Sequence, residues 1–209
     1  MSDTLKRVLT SAALLLFGAG AVVGEYFGLP TVRWAAVAVA VLMLGEVLFV
    51  KSKKKNTLPS RIIMLLWMLV VVASAYFVGA RPWVMLLLLL AIVGADTGAW
   101  FFGKLFGGDK MWESVSPKKT WSGQIAGIIC GTFAAIMYGV VGTGAFLPQL
   151  LWIGISVSLL SQYGDLATSA LKRKFGGKDY GNWLPGVGGF LDRFDGWIFV
   201  LPLMWLIIM

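Results

Sequence analysis

The stretch WVMLLLLLAIVGADTGAWFF, residues 83–102, decides the fold. It has the length of about 20 mostly apolar residues that a helix needs to cross a bilayer, and it carries one ionisable side chain, Asp96. An ionised carboxylate at membrane depth costs about 2.5–3.5 kcal/mol on insertion scales, so it faces a polar cavity or a partner instead of lipid. The stretch therefore reads as a membrane helix whose final turns serve something polar.

Comparable apolar runs lie on either side of it, at 8–28, 32–50, 62–80, 122–141, 149–170 and 192–209. The expected fold is all-α, a polytopic integral membrane helical bundle of about seven transmembrane helices. Only 13% of the residues are charged, against roughly 25% in a soluble domain, so lipid must solvate much of the surface. Residues 1–80 are expected to form N-terminal transmembrane helices, and 81–209 the region that carries chemistry, within one membrane domain. The breaks between runs hold Pro, Gly or charge, and two of them, 103–121 and 171–191, are much longer than a connection requires.

Charge sets the expected orientation. With the N-terminus cytoplasmic, every Lys and Arg except Arg33 and Arg81 falls on the cytoplasmic side. This accounts for the net charge of +8 without nucleic acid, and no nucleic-acid partner is expected. Lys6 and Arg7 precede an apolar stretch as in a secretory signal, but no small-residue cleavage site stands out, so the segment reads as a retained span. The lysine-rich run Lys51–Lys55 reads as a topology anchor that attracts anionic lipid. Glu25 and Glu46 lie near span ends, where a carboxylate can snorkel or pair.

The chain has no histidine and one cysteine, Cys130, so disulfides play no part. The commonest general base and transition-metal ligand is missing. Catalysis must rest on carboxylates, cations, backbone groups and a hard metal.

Two clusters can supply these. The first joins DTGAWFFGKLFG, residues 96–107, to SPKKTWSG, residues 116–123. Lys118 and Lys119 form a compact cationic pair at the mouth of the following span, suited to phosphate near a helix N-terminus, although juxtamembrane lysines also act simply as anchors. The neighbouring GKLFGGDK is not a P-loop, because Asp109 stands where that motif requires Lys. The second cluster is GDLATSALKRKFGGKDYGNWLPGVGGFLDRFDG, residues 164–196. Asp165, Ser169 and Lys172 share one face of a continuing helix, and Asp192 and Asp195 share a face at the expected start of the last span. The three Asp residues offer the hard oxygen ligands that Mg²⁺ prefers. Lys172, Arg173, Lys178 and Arg193 offer charge for phosphates, and GVGG permits close backbone approach. A salt-bridged loop without ligand satisfies the charges equally but leaves the glycines unexplained.

These residues resemble the signature of the phosphatidate cytidylyltransferases, also called CDP-diacylglycerol synthases. Ser169, Lys172, Arg173, Lys178, Asp179, Gly181, Pro185, Gly186, Gly188, Gly189, Asp192, Arg193 and Asp195 fall in register with it, and the two upstream stretches are similar to that family's. The resemblance covers residues 94–209. It implies condensation of CTP with phosphatidic acid of the inner leaflet to give CDP-diacylglycerol and pyrophosphate, in an enzyme among membrane lipids of the cell inner (plasma) membrane with its active site cytoplasmic. It implies Asp165, Lys172, Arg173, Asp192 and Asp195 as catalytic residues, and Ser116, Lys118, Lys119, Ser169, Lys178, Asp179 and Arg193 as substrate-binding residues. Mg²⁺ would be held by Asp165 and Asp192 with Asp195 or Asp96, beside a second cation such as K⁺. The family commonly forms homodimers.

Two positions depart from the pattern: Val187 replaces the histidine of P-G-H-G-G, and Ser122 replaces the glutamate of TWEG. Valine neither exchanges protons nor binds metal. The attacking phosphate monoester is already ionised near neutral pH, so the chemistry needs no histidine base. The alternatives are a cytidylyltransferase for another lipid phosphate, a weakly active or inactive family member, and a membrane transporter with Asp96 and Asp165 along its path. Against a transporter, the polar groups gather on one side of the membrane.

Overall fold

The computed structural model describes residues 3–50, 57–143 and 148–209. The expected anchor Lys51–Lys55 lies outside the described residues. In chain order the elements are α1 (Asp3–Tyr26), α2 (Thr31–Phe49), α3 (Leu58–Gly79), α4 (Pro82–Phe106), β1 (Lys110–Trp112), β2 (Ser116–Thr120), α5 (Trp121–Thr143), α6 (Pro148–Phe175) and α7 (Trp197–Ile208). The fold is all-α, as expected, and α1 to α6 are long and apolar enough to cross a membrane. The chain is built as an integral membrane protein.

Two features differ from the sequence reading. Residues 110–120 pair as a short antiparallel hairpin, with Lys110 opposite Thr120 and Trp112 opposite Ser116. Neither strand has an apolar alternation, and β2 contains Pro117 and two lysines, so no strand signal was visible. The last helix begins at Trp197, not Asp192, and residues 190–196 are turns. Asp192 uses its carboxylate to hold loop backbone, and Asp195 accepts from the N–H of Gly196, which fixes local turns at the point where a helix was expected.

The chain divides into two compact units, residues 1–82 with 171–209, and residues 83–170. The division falls within α6, between Ala170 and Leu171. In the first unit α3 packs on both α2 and α7. Met64, Met68, Val71, Ala75 and Val78 recur every three or four residues and form its buried stripe. Trp67 Nε1 donates to the Ile198 carbonyl at 3.0 Å, and Phe77 stacks on Trp205, fixing α7 against α3. By contrast, α1 has no buried residue and presents side chains such as Leu15 and Leu16 outward, as a lipid-facing helix does.

In the second unit, α4 and α5 approach backbone to backbone. A Cβ added at Gly123, Gly127 or Gly131 would lie 2.7, 2.8 or 2.6 Å from the carbonyl oxygen of Ala99, Ala95 or Ala91. Glycine every fourth residue on one helix thus meets alanine every fourth residue on the other. In lipid, where apolar side chains gain nothing from leaving water, such close contact is what drives helices together.

Candidate functional site

The second unit encloses a cavity of about 310 Å³ between the end of α4, the hairpin, the start of α5 and α6. Its polar lining comprises Asp96, Ser116, Lys118, Lys119, Gln124, Gln162 and Asp165 among others. The hairpin explains how SPKKT contributes: extended backbone carries Ser116, Lys118 and Lys119 into the wall. The next residues form a helix cap, in which Thr120 Oγ1 accepts from the N–H of Gly123, the third residue of α5. Ser122 Oγ donates to the Gly107 carbonyl and lies within hydrogen-bond range of Thr120 Oγ1, so the residue that replaces the family glutamate ties α5 to the turn after α4.

One lysine and one carboxylate of the cavity form an ion pair. Lys119 Nζ lies 2.8 Å from Asp165 Oδ2 and also donates to the Gln162 carbonyl at 3.2 Å. Asp165 Oδ1 accepts from Ser169 Oγ at 3.3 Å, one helical turn along α6. The Lys119 and Asp165 side chains are 22% and 36% exposed, so both can be reached by a ligand.

The first unit holds the glycine-rich loop, where a second pair is drier. Lys172 Nζ donates to Asp192 Oδ1 at 3.0 Å, with side chains 11% and 4% exposed. Asp192 Oδ2 accepts from the backbone N–H of Tyr180 and of Gly189, both at 3.0 Å. Tyr180 is buried, with Lys172 Nζ 5.6 Å from its ring centroid. Burial, with Asp192 and Asp195 nearby, pushes the Tyr180 hydroxyl well above its ordinary range, so it stays protonated.

The Pro185–Gly189 turn closes on itself through Leu184 and Gly188, which exchange backbone hydrogen bonds. Gly186 and Gly188 have φ of 79° and 99°, where any Cβ is strained. Arg193 donates through Nε and Nη2 to the Val187 carbonyl, at 3.0 and 2.7 Å. The backbone of the anomalous position is thus used, whatever its side chain. Helix α1 also holds this turn: Arg7 Nε donates to the Gly186 carbonyl and Thr10 Oγ1 to that of Pro185. Arg173 donates to the Gly177 carbonyl, and Lys178 and Asp179 are exposed.

Each of the expected site residues therefore falls in one of two polar clusters. Asp96, Ser116, Lys118, Lys119 and Asp165 meet in the cavity, with Ser169 bonded to Asp165, and Lys172, Arg173, Lys178, Asp179, Asp192, Arg193 and Asp195 belong to the loop. Sequence reasoning missed Gln124 and Gln162, which carry no charge to flag them, and read Glu46 only as a carboxylate that can snorkel or pair.

The sequence matches the model of the cytidylyltransferase family over residues 7–209. The chain belongs to the cytidylyltransferase family. Proteins named phosphatidate cytidylyltransferase from Staphylococcus saprophyticus and Staphylococcus haemolyticus are 47% and 48% identical to it over 110 residues. That from Staphylococcus aureus is 46% identical over the same length. In each case the match covers 52% of this chain and 42% of the relative, so the chain spans less than half the length of these relatives. Among the described residues no group of three or more His, Cys, Asp or Glu side chains is gathered to hold a metal ion. A Mg²⁺ site on nucleotide needs less, since one or two carboxylates with water and phosphate oxygens complete its shell. Asp96 and Asp165, lining one cavity, fit that requirement.

Proposed function

We propose that the chain condenses CTP with phosphatidic acid to give CDP-diacylglycerol and pyrophosphate. The observation that carries this reading is the cavity in which two carboxylates, Asp96 and Asp165, face two lysines, Lys118 and Lys119. Family membership and the names of the relatives support cytidylyl transfer to a lipid phosphate. The lysines suit a polyphosphate, and the carboxylates suit the cation that accompanies it.

In this reading a phosphate oxygen of phosphatidic acid bonds to the α-phosphorus of CTP, the bond from that phosphorus to the α–β bridging oxygen breaks, and pyrophosphate departs with the electron pair. Lys118 and Lys119 offset the charge of the phosphates, and Lys119 exchanges Asp165 for ligand oxygen as they enter. Ser116 and Ser169 are positioned for hydrogen bonds at the cavity wall and to Asp165. The family resemblance supports Arg173 as a further catalytic residue, and Lys178, Asp179 and Arg193 as further substrate-binding residues. Lys172 holds Asp192 in place through their ion pair. Asp96 and Asp165 would hold Mg²⁺, which supplies charge stabilisation on phosphate oxygens when bound. The family resemblance adds Asp195 and Asp192 as candidate ligands and K⁺ as a second cation, and Asp192 would have to release Lys172 to serve as one. The resemblance also supports a homodimer, the bacterial relatives support the plasma membrane, and the Lys and Arg distribution supports a cytoplasmic N-terminus and active site.

The test is incubation of the purified protein in phosphatidate-containing liposomes with α-labelled CTP and Mg²⁺. Label is expected in a CDP-lipid, with pyrophosphate released in equal amount. Label appearing only with another lipid phosphate would reassign the acceptor. No labelled lipid with any acceptor would overturn the reading.

A further inference from the structure

Glu46 lies near the C-terminal end of α2 and is 2% exposed. Its Oε2 accepts from the backbone N–H of Leu191 at 2.9 Å, across 145 residues of sequence. Its Oε1 is buried and makes no hydrogen bond of ordinary geometry among the described residues, and the backbone N–H of Phe190 is the other donor directed at the carboxylate. A buried carboxylate with no cation beside it, served only by loop backbone N–H groups, is costly, so its position needs a reason.

The glycine-rich loop supplies that reason. A Cβ built at Gly181 would sit 3.1 Å from Glu46 Oε1, and one built at Gly189 would sit 2.6 Å from it and closer still to Oε2. The preceding residue, Gly45, takes the ring of Trp183, which a Cβ there would meet at 3.0 Å. Gly45 and Glu46 therefore form a seat on α2 into which residues 181–191 press at three points. Gly189 is held from both sides: its N–H donates to Asp192, and the Glu46 carboxylate occupies the space a Cβ would need. A shift of the Glu46 carboxylate must move Gly189 and Leu191, and these flank the backbone that presents Asp192 to Lys172.

We propose that Glu46 is a positioning residue for cytidylyl transfer: it fixes the glycine-rich loop from below and so sets the placement of Asp192 and Arg193. The role in catalysis rests on the function proposed above, whereas the role in loop placement does not. Glu46 touches none of the reacting groups in this account. Its effect passes through Gly189 and Leu191.

The experiment combines turnover with hydrogen exchange on the full chain in liposomes. Glu46→Ala is expected to lower kcat at least about tenfold and to speed amide exchange in residues 180–192, with exchange in the α3 stripe unchanged. Glu46→Gln keeps an oxygen for Leu191 and is expected to restore most of both. Gly189→Ala, whose methyl collides with the carboxylate, is expected to reproduce the loss. The Glu46→Ala/Gly189→Ala double variant should be no worse than Glu46→Ala alone, because the collision partner is gone. Glu25→Gln serves as the control: this carboxylate accepts from the Val32 N–H at the α1–α2 connection and is expected to change neither readout. Multiplying losses in the double variant, or exchange rising equally in α3, would reduce Glu46 to a general stability residue and overturn the proposal. Unchanged loop exchange in Glu46→Ala would do the same. If the parent transfers no cytidylyl group, the proposed function falls, while the exchange comparison still decides the seat.

Discussion

The cavity of residues 83–170 and the glycine-rich loop of residues 171–196 each hold a Lys–Asp pair at 2.8–3.0 Å, yet the two pairs do different work. Lys119 and Asp165 are partly exposed and line an open space. Lys172 and Asp192 are nearly sealed, and both Asp192 oxygens are spent on Lys172 and two backbone N–H groups. The same two functional groups thus make an accessible pair in one place and a sealed tie in the other. Solvent access decides which, because a wet pair loses little when a ligand replaces one partner, and a dry pair leaves a bare charge.

This contrast can be broken most forcefully at Lys172. Lys172→Met leaves the Asp192 carboxylate buried without its cation, and loss of one partner of such a pair costs about 3–5 kcal/mol. A large fall in Tm in detergent, with loss of turnover, is expected, and a Tm equal to the parent would show the tie to be dispensable. Next in size is Asp165→Asn. It should cut turnover about 10²-fold, in line with removing one strong electrostatic stabiliser. Stability should shift by only about 0–1 kcal/mol, as for an accessible pair. A parallel collapse of Tm would place Asp165 with Asp192 instead.

The smallest effect sharpens the description of the loop. The Tyr180 hydroxyl is raised above its unfolded value of about 10, so its contribution is complete below that pH and is lost as pH rises through the folded value. Above about pH 10 the unfolded chain releases the proton first, and stability falls with pH. Tyr180→Phe should flatten that alkaline decline and leave Tm near neutral pH almost unchanged. Identical alkaline slopes in the two proteins would show that Tyr180 is not sealed behind Lys172 and Asp192.

Much of this was legible in the sequence because hydrophobicity and charge are composition signals. Long apolar runs located α1 to α6, and the interleaved Asp, Lys and Arg marked both clusters. What pairs with what was hidden. Glu25 and Glu46 look alike as carboxylates near span ends, yet one accepts from a residue seven positions away and the other from Leu191. That difference lies in tertiary contact alone. Asp192 looked like a helix-face residue because its spacing to Asp195 fits a helix, but backbone N–H groups of Tyr180 and Gly189 competed for its carboxylate and won. The hairpin was invisible because Lys110–Thr120 has no alternating pattern, and its pairing rests on the turn and on Thr120 capping α5.

The glycine seam between α4 and α5 works like a gauge block. At Gly123, Gly127 and Gly131 peptide group meets peptide group, and the one longer side chain set against a seam glycine of α4, Cys130 over Gly98, is small. The spacing from the α4 backbone at Asp96 to the mouth of α5 is therefore machined into the main chain. Tolerance for ligands of different girth has to come from the hairpin wall, whose side chains can be exchanged without prying the seam apart.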